Sequence, residues 1–246
     1  MELNNQYQTL FGKMPIPIFG MIHLAGDVPV KRALEELALF EEESVDAAII
    51  ENYHGSIGDV EQTLLEIRLR TSKIVLGVNI LPNQYFLSFD FAKRYGACFI
   101  QLDHISGIYT NGMLLEGLYR QYKEKHSDTF VLGGVWPKYY SPLPGSDLEK
   151  DLCEGVRRAE AIVVTGAGTG KETPLEKIKK FREVIGEHPL VVGAGLTPEN
   201  AYKQLSIADG GIVGSSLKIG NQTYNPVDRI KVRDFMDVVK EVRKEK

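Results

Sequence analysis

The sequence predicts a single α/β domain built as an eight-stranded parallel barrel, the (β/α)8 architecture of the TIM barrel. Short, almost wholly apolar segments alternate with segments in which apolar residues recur at helical spacing, which is typical of a parallel sheet buried beneath helices. Eight such units fill the 246 residues, a length expected for one barrel. The last two strands both end in glycine, as phosphate-binding strands of such barrels often do.

The eight predicted strands are spaced evenly along the chain. A doubly wound open sheet is the alternative, but the even spacing and the lack of a Gly-x-Gly-x-x-Gly motif after the first strand favour the barrel. The predicted strands lie at residues 16–23, 47–50, 74–78, 99–102, 130–135, 161–164, 190–192 and 212–213.

Amphipathic segments follow the strands, and their apolar residues lie on one helical face. The seventh helix has the clearest start, because Thr197 can cap it and Pro198 suits its first position. The apolar positions begin with Val30, Ala33 and Leu37, then Val60, Leu64 and Ile67, then Phe86, Phe89 and Ala92, then Leu114, Leu115, Leu118 and Tyr122, then Leu148, Leu152 and Val156, then Leu175, Ile178, Phe181 and Ile185, and end with Val232, Phe235, Met236, Val239 and Val242.

Composition fits one cytoplasmic domain. We expect a short extension over residues 1–14, with residues 1–13 forming an extension or helix at the barrel floor, and the barrel domain over 15–246. A net charge of −4 gives no general attraction to nucleic acid or anionic lipid. Cys98 and Cys153 suggest no disulfide framework, and neither a membrane-spanning run nor a signal-peptide pattern is evident. A homo-oligomer is compatible with this composition.

The two glycine-ended strands predict an anion site. The segments 190–200 and 212–216 each run from a β-branched stretch into glycine, and backbone N–H groups at such exits bind phosphate. On this view Gly195→Val would obstruct a phosphorylated ligand. The residues predicted to hold the phosphate are Gly193, Ala194, Gly195, Gly214, Ser215 and Ser216.

Polar residues at the other strand ends are candidates for the reacting end of the site, because barrel active sites lie at the carboxyl ends of the strands. Since strand side chains alternate, only one residue of Glu51–Asn52 and one of Asp103–His104 can point inward, and Glu51 and Asp103 are favoured. The predicted catalytic residues are His23, Glu51, Asp103 and Lys138, and the predicted substrate-binding residues are Asn52, Asn79, His104, Trp136 and Thr165.

Each candidate also has a structural interpretation. Glu51 or Asp103 could form an ion pair with Lys138, and Asn79 could join neighbouring strands. Lys138 could instead hold an anionic group or form a Schiff base. Trp136 and Tyr139 could stack on a sugar or base, or simply plug the barrel mouth.

The sequence requires no cofactor. No metal ligands are assigned, because no local histidine, cysteine or carboxylate spacing is of metal-binding type, although a divalent ion held by residues of separate strands stays an alternative. The segment 165–170 is rich in glycine but lacks the P-loop spacing, since Glu172 stands where a hydroxyl belongs. A loop over the active site is the better interpretation.

An ordered set of motifs resembles the BtpA/SgcQ family across residues 15–240. These motifs are FGMIHL (19–24), IEN (50–52), LGVN (76–79), VVTGAGTG (163–170), GLTPEN (195–200), ADGGIVGS (208–215) and NPVD (225–228). The resemblance implies a TIM barrel without a defined activity. One branch of the family is linked to photosystem I accumulation, as a peripheral membrane protein, and another to sugar phosphotransferase genes.

Two segments depart from the family pattern. Gln101, Leu102 and Asp103 stand where the family commonly has Arg-Val-Asn. Residues 134–139 stand where it commonly has Asp-Val-His-Val-Lys-His, and Lys138 keeps the lysine. These departures suggest a divergent substrate or role.

Together the patterns predict a barrel enzyme that binds a phosphorylated small metabolite and acts on it by acid/base chemistry. A sugar phosphate isomerase, epimerase or aldolase-like lyase fits the candidate groups. One alternative is a non-catalytic assembly or stability factor of the BtpA type. Another is cleavage or transfer at a nucleoside or ribosyl phosphate.

Overall fold

Eight parallel strands close into one barrel in the computed structural model, which describes residues 6–12, 14–70 and 72–246. Each strand pairs with its neighbours along the chain, and the last pairs with the first. The predicted barrel is therefore confirmed, and the open-sheet alternative is wrong. The strands are β1 (Ile18–Ile22), β2 (Ala47–Glu51), β3 (Val75–Asn79), β4 (Phe99–Leu102), β5 (Phe130–Gly134), β6 (Ala161–Val164), β7 (Leu190–Val192) and β8 (Gly210–Val213).

A helix follows each strand, and one more precedes the barrel. The predicted apolar faces are buried or half-buried, except in the fourth barrel helix, where Leu115 and Leu118 are exposed. That helix begins at Glu116, so Leu114 and Leu115 precede it. Thr197 is an N-cap and Pro198 the first helical residue, as predicted. The helices are α1 (Gln6–Phe11), α2 (Pro29–Glu42), α3 (Ile57–Arg68), α4 (Tyr85–Tyr95), α5 (Glu116–Lys125), α6 (Leu148–Val156), α7 (Leu175–Ile185), α8 (Pro198–Leu205) and α9 (Arg229–Lys244).

Aromatic side chains fill the lower barrel, near the amino ends of the strands. The rings of Phe99 and Phe130 stack with their centroids 4.8 Å apart, and Phe19 meets Phe99 edge to face. The position of Gly77 explains how the ring of Phe99 fits, because a Cβ there would lie 2.1 Å from it. Close packing of this kind excludes water from the space below the site.

Helix α1 closes the floor of the barrel. Tyr7 and Phe11 belong to the same buried cluster as the interior phenylalanines, and the ring of Phe11 contacts Phe19 and Phe130 edge to face. The hydroxyl of Tyr7 donates to the backbone oxygen of Asp209 at 3.1 Å. The expected helix at the floor is present over the described residues, whereas residues 1–5 and 13 lie outside them.

Acidic residues just before three strands join each strand to its neighbour. Asp46, before β2, accepts the N–H of Ile18 in β1 at 2.7 Å and also pairs with Arg243 of α9. Asp209 does the same before β8, accepting from Leu190 at 2.9 Å. Glu160 does so before β6. Paired charges at the amino ends thus fix the strand register there.

Two loop structures were not predicted. A small antiparallel hairpin pairs residues 108–109 with 112–113 in the connection from β4 to α5. Two one-turn 3₁₀ helices, Ser215–Leu217 and Ile219–Asn221, follow β8. Among the helices that the structure describes, none is both long and apolar enough to cross a membrane.

Replacing Phe11 with alanine should destabilise the protein, because it leaves a cavity beneath the stacked aromatic rings. We expect the free energy of unfolding to fall by roughly 3–5 kcal/mol, measured by urea denaturation. Leu10→Ala is the matched control, since Leu10 lies on the same helix and is 38% exposed. Equal losses in the two variants would show that α1 does not close the barrel interior.

Candidate active site

A cavity of about 240 Å³ opens at the carboxyl ends of the strands. All four predicted catalytic residues lie in its wall, although they come from four different strand ends. The wall also includes five of the six residues predicted to hold a phosphate. The lining residues from these two sets are His23, Glu51, Asp103, Lys138, Gly193, Ala194, Gly195, Gly214 and Ser215.

Glu51 is the last residue of β2, and the residue is only 6% exposed. Its Oε1 accepts a hydrogen bond from Nδ2 of Asn79 at 2.7 Å. Burial, together with the nearby charge of Asp103, raises the pKa of Glu51 to about 7, although Lys138 and the Asn79 bond act in the opposite direction. A carboxyl group with this pKa can give or take a proton near neutral pH.

His23 follows β1 and lies beside Glu51. Its Nε2 is 3.9 Å from Oε2 of Glu51, just beyond hydrogen-bond distance, and its Nδ1 has no hydrogen-bond partner among the described residues. Burial and the positive charges of Lys218 and Lys138 lower the pKa of His23 well below its usual value. The imidazole is therefore neutral at pH 7 and can donate or accept one hydrogen bond.

Asp103 follows β4, and its Oδ2 accepts from the hydroxyl of Tyr140 at 2.9 Å. Burial raises the pKa of Asp103, and the Tyr140 bond and Lys138 partly oppose that shift. The cavity therefore contains two carboxyl groups that the apolar surroundings disfavour as anions.

Lys138 follows β5 and supplies positive charge to the same cavity. Its Nζ donates to Oγ1 of Thr169 at 3.0 Å, and its backbone N–H donates to Oγ1 of Thr165 at 2.7 Å. None of the salt bridges between described residues involves Lys138, so the structural ion pair with Glu51 or Asp103 that the sequence allowed is not formed. The Thr165 bond places the predicted Thr165 in the wall as a residue that positions Lys138.

The opposite wall is made by the exits of β7 and β8. The backbone N–H groups of Ala194 and Gly195 have no hydrogen-bond acceptor among the described residues. Gly214 lies against His23, because a Cβ at Gly214 would be 2.9 Å from the imidazole Cε1. The donors of this wall and the acid/base groups thus line the same small cavity.

The loop from β6 to α7 lies over the cavity mouth. Besides its bond to Lys138, Thr169 donates its N–H to the hydroxyl of Tyr139 at 2.8 Å and accepts from Tyr53 at 3.4 Å. The loop also packs on the anion wall, since a Cβ at Gly195 would lie 2.3 Å from the backbone of Lys171. This packing corrects the expected effect of Gly195→Val, which would displace the loop before it obstructed a ligand.

Five predicted site residues do not line the cavity. Asn52 and His104 point outward, as strand alternation requires when Glu51 and Asp103 point inward. Asn52 bonds Leu81, and His104 bonds Asn83. Trp136 donates its indole N–H to Asp151, and Ser216 donates to the backbone oxygen of Leu196. Asn79 lies beside Glu51 on the neighbouring strand as its hydrogen-bond donor.

Trp136 lies outside the cavity because of its backbone conformation. Its φ of 45° is in the left-handed region, and the chain turns so that the indole packs toward α6. Its predicted stacking on a ligand is therefore unsupported, and the expectation of a plug at the mouth is also not met.

Sequence reasoning missed five polar residues of the wall. Gln101 could have been predicted, because it lies two residues before Asp103 on β4 and so shares its inward face. The other four lie in loops, where no periodicity shows which way a side chain points, and they are Tyr53, Asn111, Tyr140 and Thr169. Within the described ranges, no group of three or more histidine, cysteine, aspartate or glutamate side chains is arranged to hold a metal ion.

The closed barrel, with charged and glycine-rich strand exits at one rim, defines the class as a TIM-barrel protein. The profile of the BtpA family matches residues 17–241, so the chain belongs to the BtpA family.

Curated relatives extend over nearly the whole chain. An uncharacterized protein of Pyrococcus abyssi is 30% identical, over 93% of this chain and 98% of its own length. Photosystem I biogenesis protein BtpA of Synechocystis is 27% identical, over 100% of this chain and 94% of its own. The putative sgc region protein SgcQ of Escherichia coli is 26% identical, over 70% of this chain and 66% of its own.

Solved structures share the fold at low sequence identity. Tryptophan synthase of Mycobacterium tuberculosis superposes with a TM-score of 0.68 at 12% identity, over 97% of this chain and 98% of the other. Phosphoribosyl anthranilate isomerase of Thermus thermophilus superposes with a TM-score of 0.63 at 13% identity, over 92% of this chain and 100% of the other. Thiamine phosphate pyrophosphorylase of Pyrococcus furiosus superposes with a TM-score of 0.59 at 17% identity, over 92% of this chain and 96% of the other. These likenesses establish the barrel alone.

Gly195→Ala should be more destabilising than a comparable glycine substitution elsewhere. Gly195 has a φ of 69° and lies against the Lys171 backbone, whereas Gly96 has a φ of 81° with nothing within 4 Å of an added Cβ. We expect Gly96→Ala to lower the free energy of unfolding by about 1 kcal/mol, from backbone strain. Gly195→Ala should cost roughly 2 kcal/mol more in urea denaturation, because the loop must move. Equal costs would contradict the close packing of that loop.

The pKa of Glu51 should make stability depend on pH. From its usual 4.5 up to about 7, the unfolded chain has lost this proton while the folded protein keeps it. The free energy of unfolding therefore falls as pH rises through that window, and levels off above it. Between these two pH values, the free energy of unfolding of the wild type should fall by about 3 kcal/mol relative to that of Glu51→Gln.

Urea denaturation at a series of pH values measures this difference. Glu35→Gln is the control, because the Glu35 side chain is 66% exposed, and its curve should run parallel to that of the wild type. Parallel curves for Glu51→Gln as well would show that Glu51 titrates normally.

Proposed function

We propose that this protein is an enzyme that transfers protons on a phosphorylated small metabolite, of the sugar phosphate isomerase, epimerase or aldolase-like lyase type. One observation carries the proposal. The buried Glu51 carboxyl, beside His23, shares a cavity of about 240 Å³ with the backbone N–H groups of Ala194 and Gly195, which have no acceptor in the described part of the chain. A proton-transfer group and an anion-binding wall thereby line one cavity.

The groups divide the work by charge and position. The N–H groups of Ala194 and Gly195, aided by Ser215, bind the phosphate. Glu51 takes and returns the proton, because its pKa of about 7 matches neutral pH. Neutral His23 lies next to it and orients the reacting group by a hydrogen bond.

Lys138 and Asp103 complete the reacting end. Lys138 stabilises negative charge that develops on a substrate oxygen, since its Nζ reaches the cavity and its present partner is an uncharged hydroxyl. Asp103, held by Tyr140, accepts from a substrate hydroxyl.

The structural neighbours support the phosphate part by analogy. Two of the solved barrels are named for phosphorylated compounds, phosphoribosyl anthranilate isomerase and thiamine phosphate pyrophosphorylase. A shared barrel does not transfer a reaction, so the choice of reaction rests on Glu51 and its neighbours.

The name of the Synechocystis relative favours a second candidate, an assembly factor that uses its outer surface. Such a protein would need neither the backbone N–H donors of Ala194 and Gly195, which follow β7, nor a buried proton-transfer group. A third candidate, action on a nucleoside phosphate, loses Trp136 as a stacking platform, because Trp136 bonds Asp151 outside the cavity. It keeps Tyr139, whose ring lines the cavity.

Phosphate esters should raise the melting temperature of the wild type. A ligand at one hundred times its Kd adds about 2.7 kcal/mol, which corresponds to roughly 5–10 °C for a protein of this size. The measurement is a thermal shift with ribose 5-phosphate, with ribose as the ligand control. No shift with any phosphate ester would favour the assembly factor.

The same assay with Lys138→Met separates function from structure. This variant keeps the length of the side chain and removes its charge, so it should melt close to the wild type but lose most of the ligand-induced shift. Lys150→Met, at an exposed position of α6, is the matched control and should keep the full shift. A large loss of unliganded stability in Lys138→Met would point instead to a structural lysine.

A further inference from the structure

The inner end of the cavity is rich in hydrogen-bond acceptors. Glu51, Gln101 and Asp103 line it from β2 and β4, and we call these three residues the acceptor floor. Glu51 is 6% exposed and is therefore largely removed from solvent. Three polar side chains in so small a space need hydrogen-bond partners when a ligand displaces water.

The protein leaves several of these acceptors without a donor. Asn79 donates to Oε1 of Glu51, and Tyr140 donates to Oδ2 of Asp103. Oε1 of Gln101 is buried and has no partner among the described residues. The bonds recorded for the described residues bring no donor to the second oxygen of either carboxyl group. Three oxygen atoms of the acceptor floor thus have no donor among the described residues, and a ligand that displaces water must supply one to each.

The position of the acceptor floor decides which end of the ligand it meets. Around the closed barrel β4 lies three to four strands from β7 and β8, on the opposite side. On the proposed function, on which this inference rests, the phosphate lies at β7 and β8. The far end of the ligand therefore lies on the acceptor floor.

Only some chemical groups can satisfy that floor. A hydroxyl group donates a hydrogen bond and carries no charge. A carboxylate or a second phosphate cannot donate near neutral pH, so it leaves the buried Oε1 of Gln101 without a partner, and it is repelled by Glu51 and Asp103 whenever these are ionised. The small cavity volume of about 240 Å³ also limits the ligand to a small metabolite.

We propose that the acceptor floor selects phosphate esters that end in neighbouring hydroxyl groups, and that Gln101 is a specificity-determining residue that accepts from one of them. The substrate class is then a polyol or sugar phosphate, and phosphorylated carboxylic acids are rejected.

Two ligands of equal length test this directly on the wild type. Glycerol 3-phosphate and 3-phosphoglycerate share the phosphate and the central hydroxyl, and differ in a terminal hydroxyl against a carboxylate. By titration calorimetry, glycerol 3-phosphate should bind about tenfold more tightly than inorganic phosphate, since it adds two hydrogen bonds. The 3-phosphoglycerate should bind no more tightly than inorganic phosphate.

The outcomes separate this inference from the proposed function. If 3-phosphoglycerate binds as tightly as glycerol 3-phosphate or better, the acceptor floor does not select for hydroxyl groups, while the proposed phosphate site is still supported. If neither ester nor inorganic phosphate binds, the proposed function fails and takes the inference with it.

Gln101→Met tests the residue itself, because methionine has a similar length and lacks the amide. It should weaken glycerol 3-phosphate binding about three- to tenfold and leave inorganic phosphate binding unchanged. Gln62→Met, the same change at an exposed position of α3, should change the affinity for neither glycerol 3-phosphate nor inorganic phosphate. Unchanged binding of glycerol 3-phosphate to folded Gln101→Met would remove Gln101 from the site. If that variant does not fold, the ligand pair on the wild type decides.

Discussion

Closure of the eight strands into one barrel is the constraint on which the site depends. It brings all the carboxyl ends of the strands to one rim and turns every second side chain inward. The stacked rings of Phe99 and Phe130 fill the lower interior and exclude water from below. Glu51 and Gln101, on the same inward faces higher up, are thereby held in an enclosed space. The burial that raises the pKa of Glu51 follows from closure.

The charges around the cavity set which group carries the proton. Burial disfavours ionisation of Glu51, Asp103 and His23 alike, so each is shifted toward its neutral form. Lys138 opposes the shift of the carboxyl groups and reinforces that of His23. Glu51 is left titrating about pH 7, with a neutral imidazole next to it. The charge of Lys138 and the apolar layer beneath the cavity thus set the protonation states of Glu51, Asp103 and His23.

Stability and chemistry lie at opposite ends of the barrel. At the amino ends, Asp46, Glu160 and Asp209 each bond a neighbouring strand and pair with a cation, and α1 covers the interior. At the carboxyl ends, polar atoms such as Oε1 of Gln101 and Nδ1 of His23 have no partner in the described chain. Bonded charge pairs join the strands at the amino ends, and the unpartnered Oε1 of Gln101 is available to a ligand at the carboxyl ends.

The sequence by itself determined the barrel, the glycine exits of β7 and β8 and the inward direction of Glu51 and Asp103. These features are local: hydrophobic periodicity reports which face is buried, and strand alternation follows from backbone geometry within a few residues. The same rule explains why Asn52 and His104 point away.

Tertiary structure alone decided what surrounds those residues. Trp136 lies outside the cavity because the chain turns at this residue with a φ of 45°, a conformation that the local sequence does not predict. Thr169 meets Tyr53 across 116 residues of chain, and Tyr140 meets Asp103 across 37. Loop side chains have no periodicity, and their partners are brought near only by barrel closure. The direction of a strand residue is therefore set by its own backbone, whereas the environment that gives it a pKa and a partner is set by segments far along the chain.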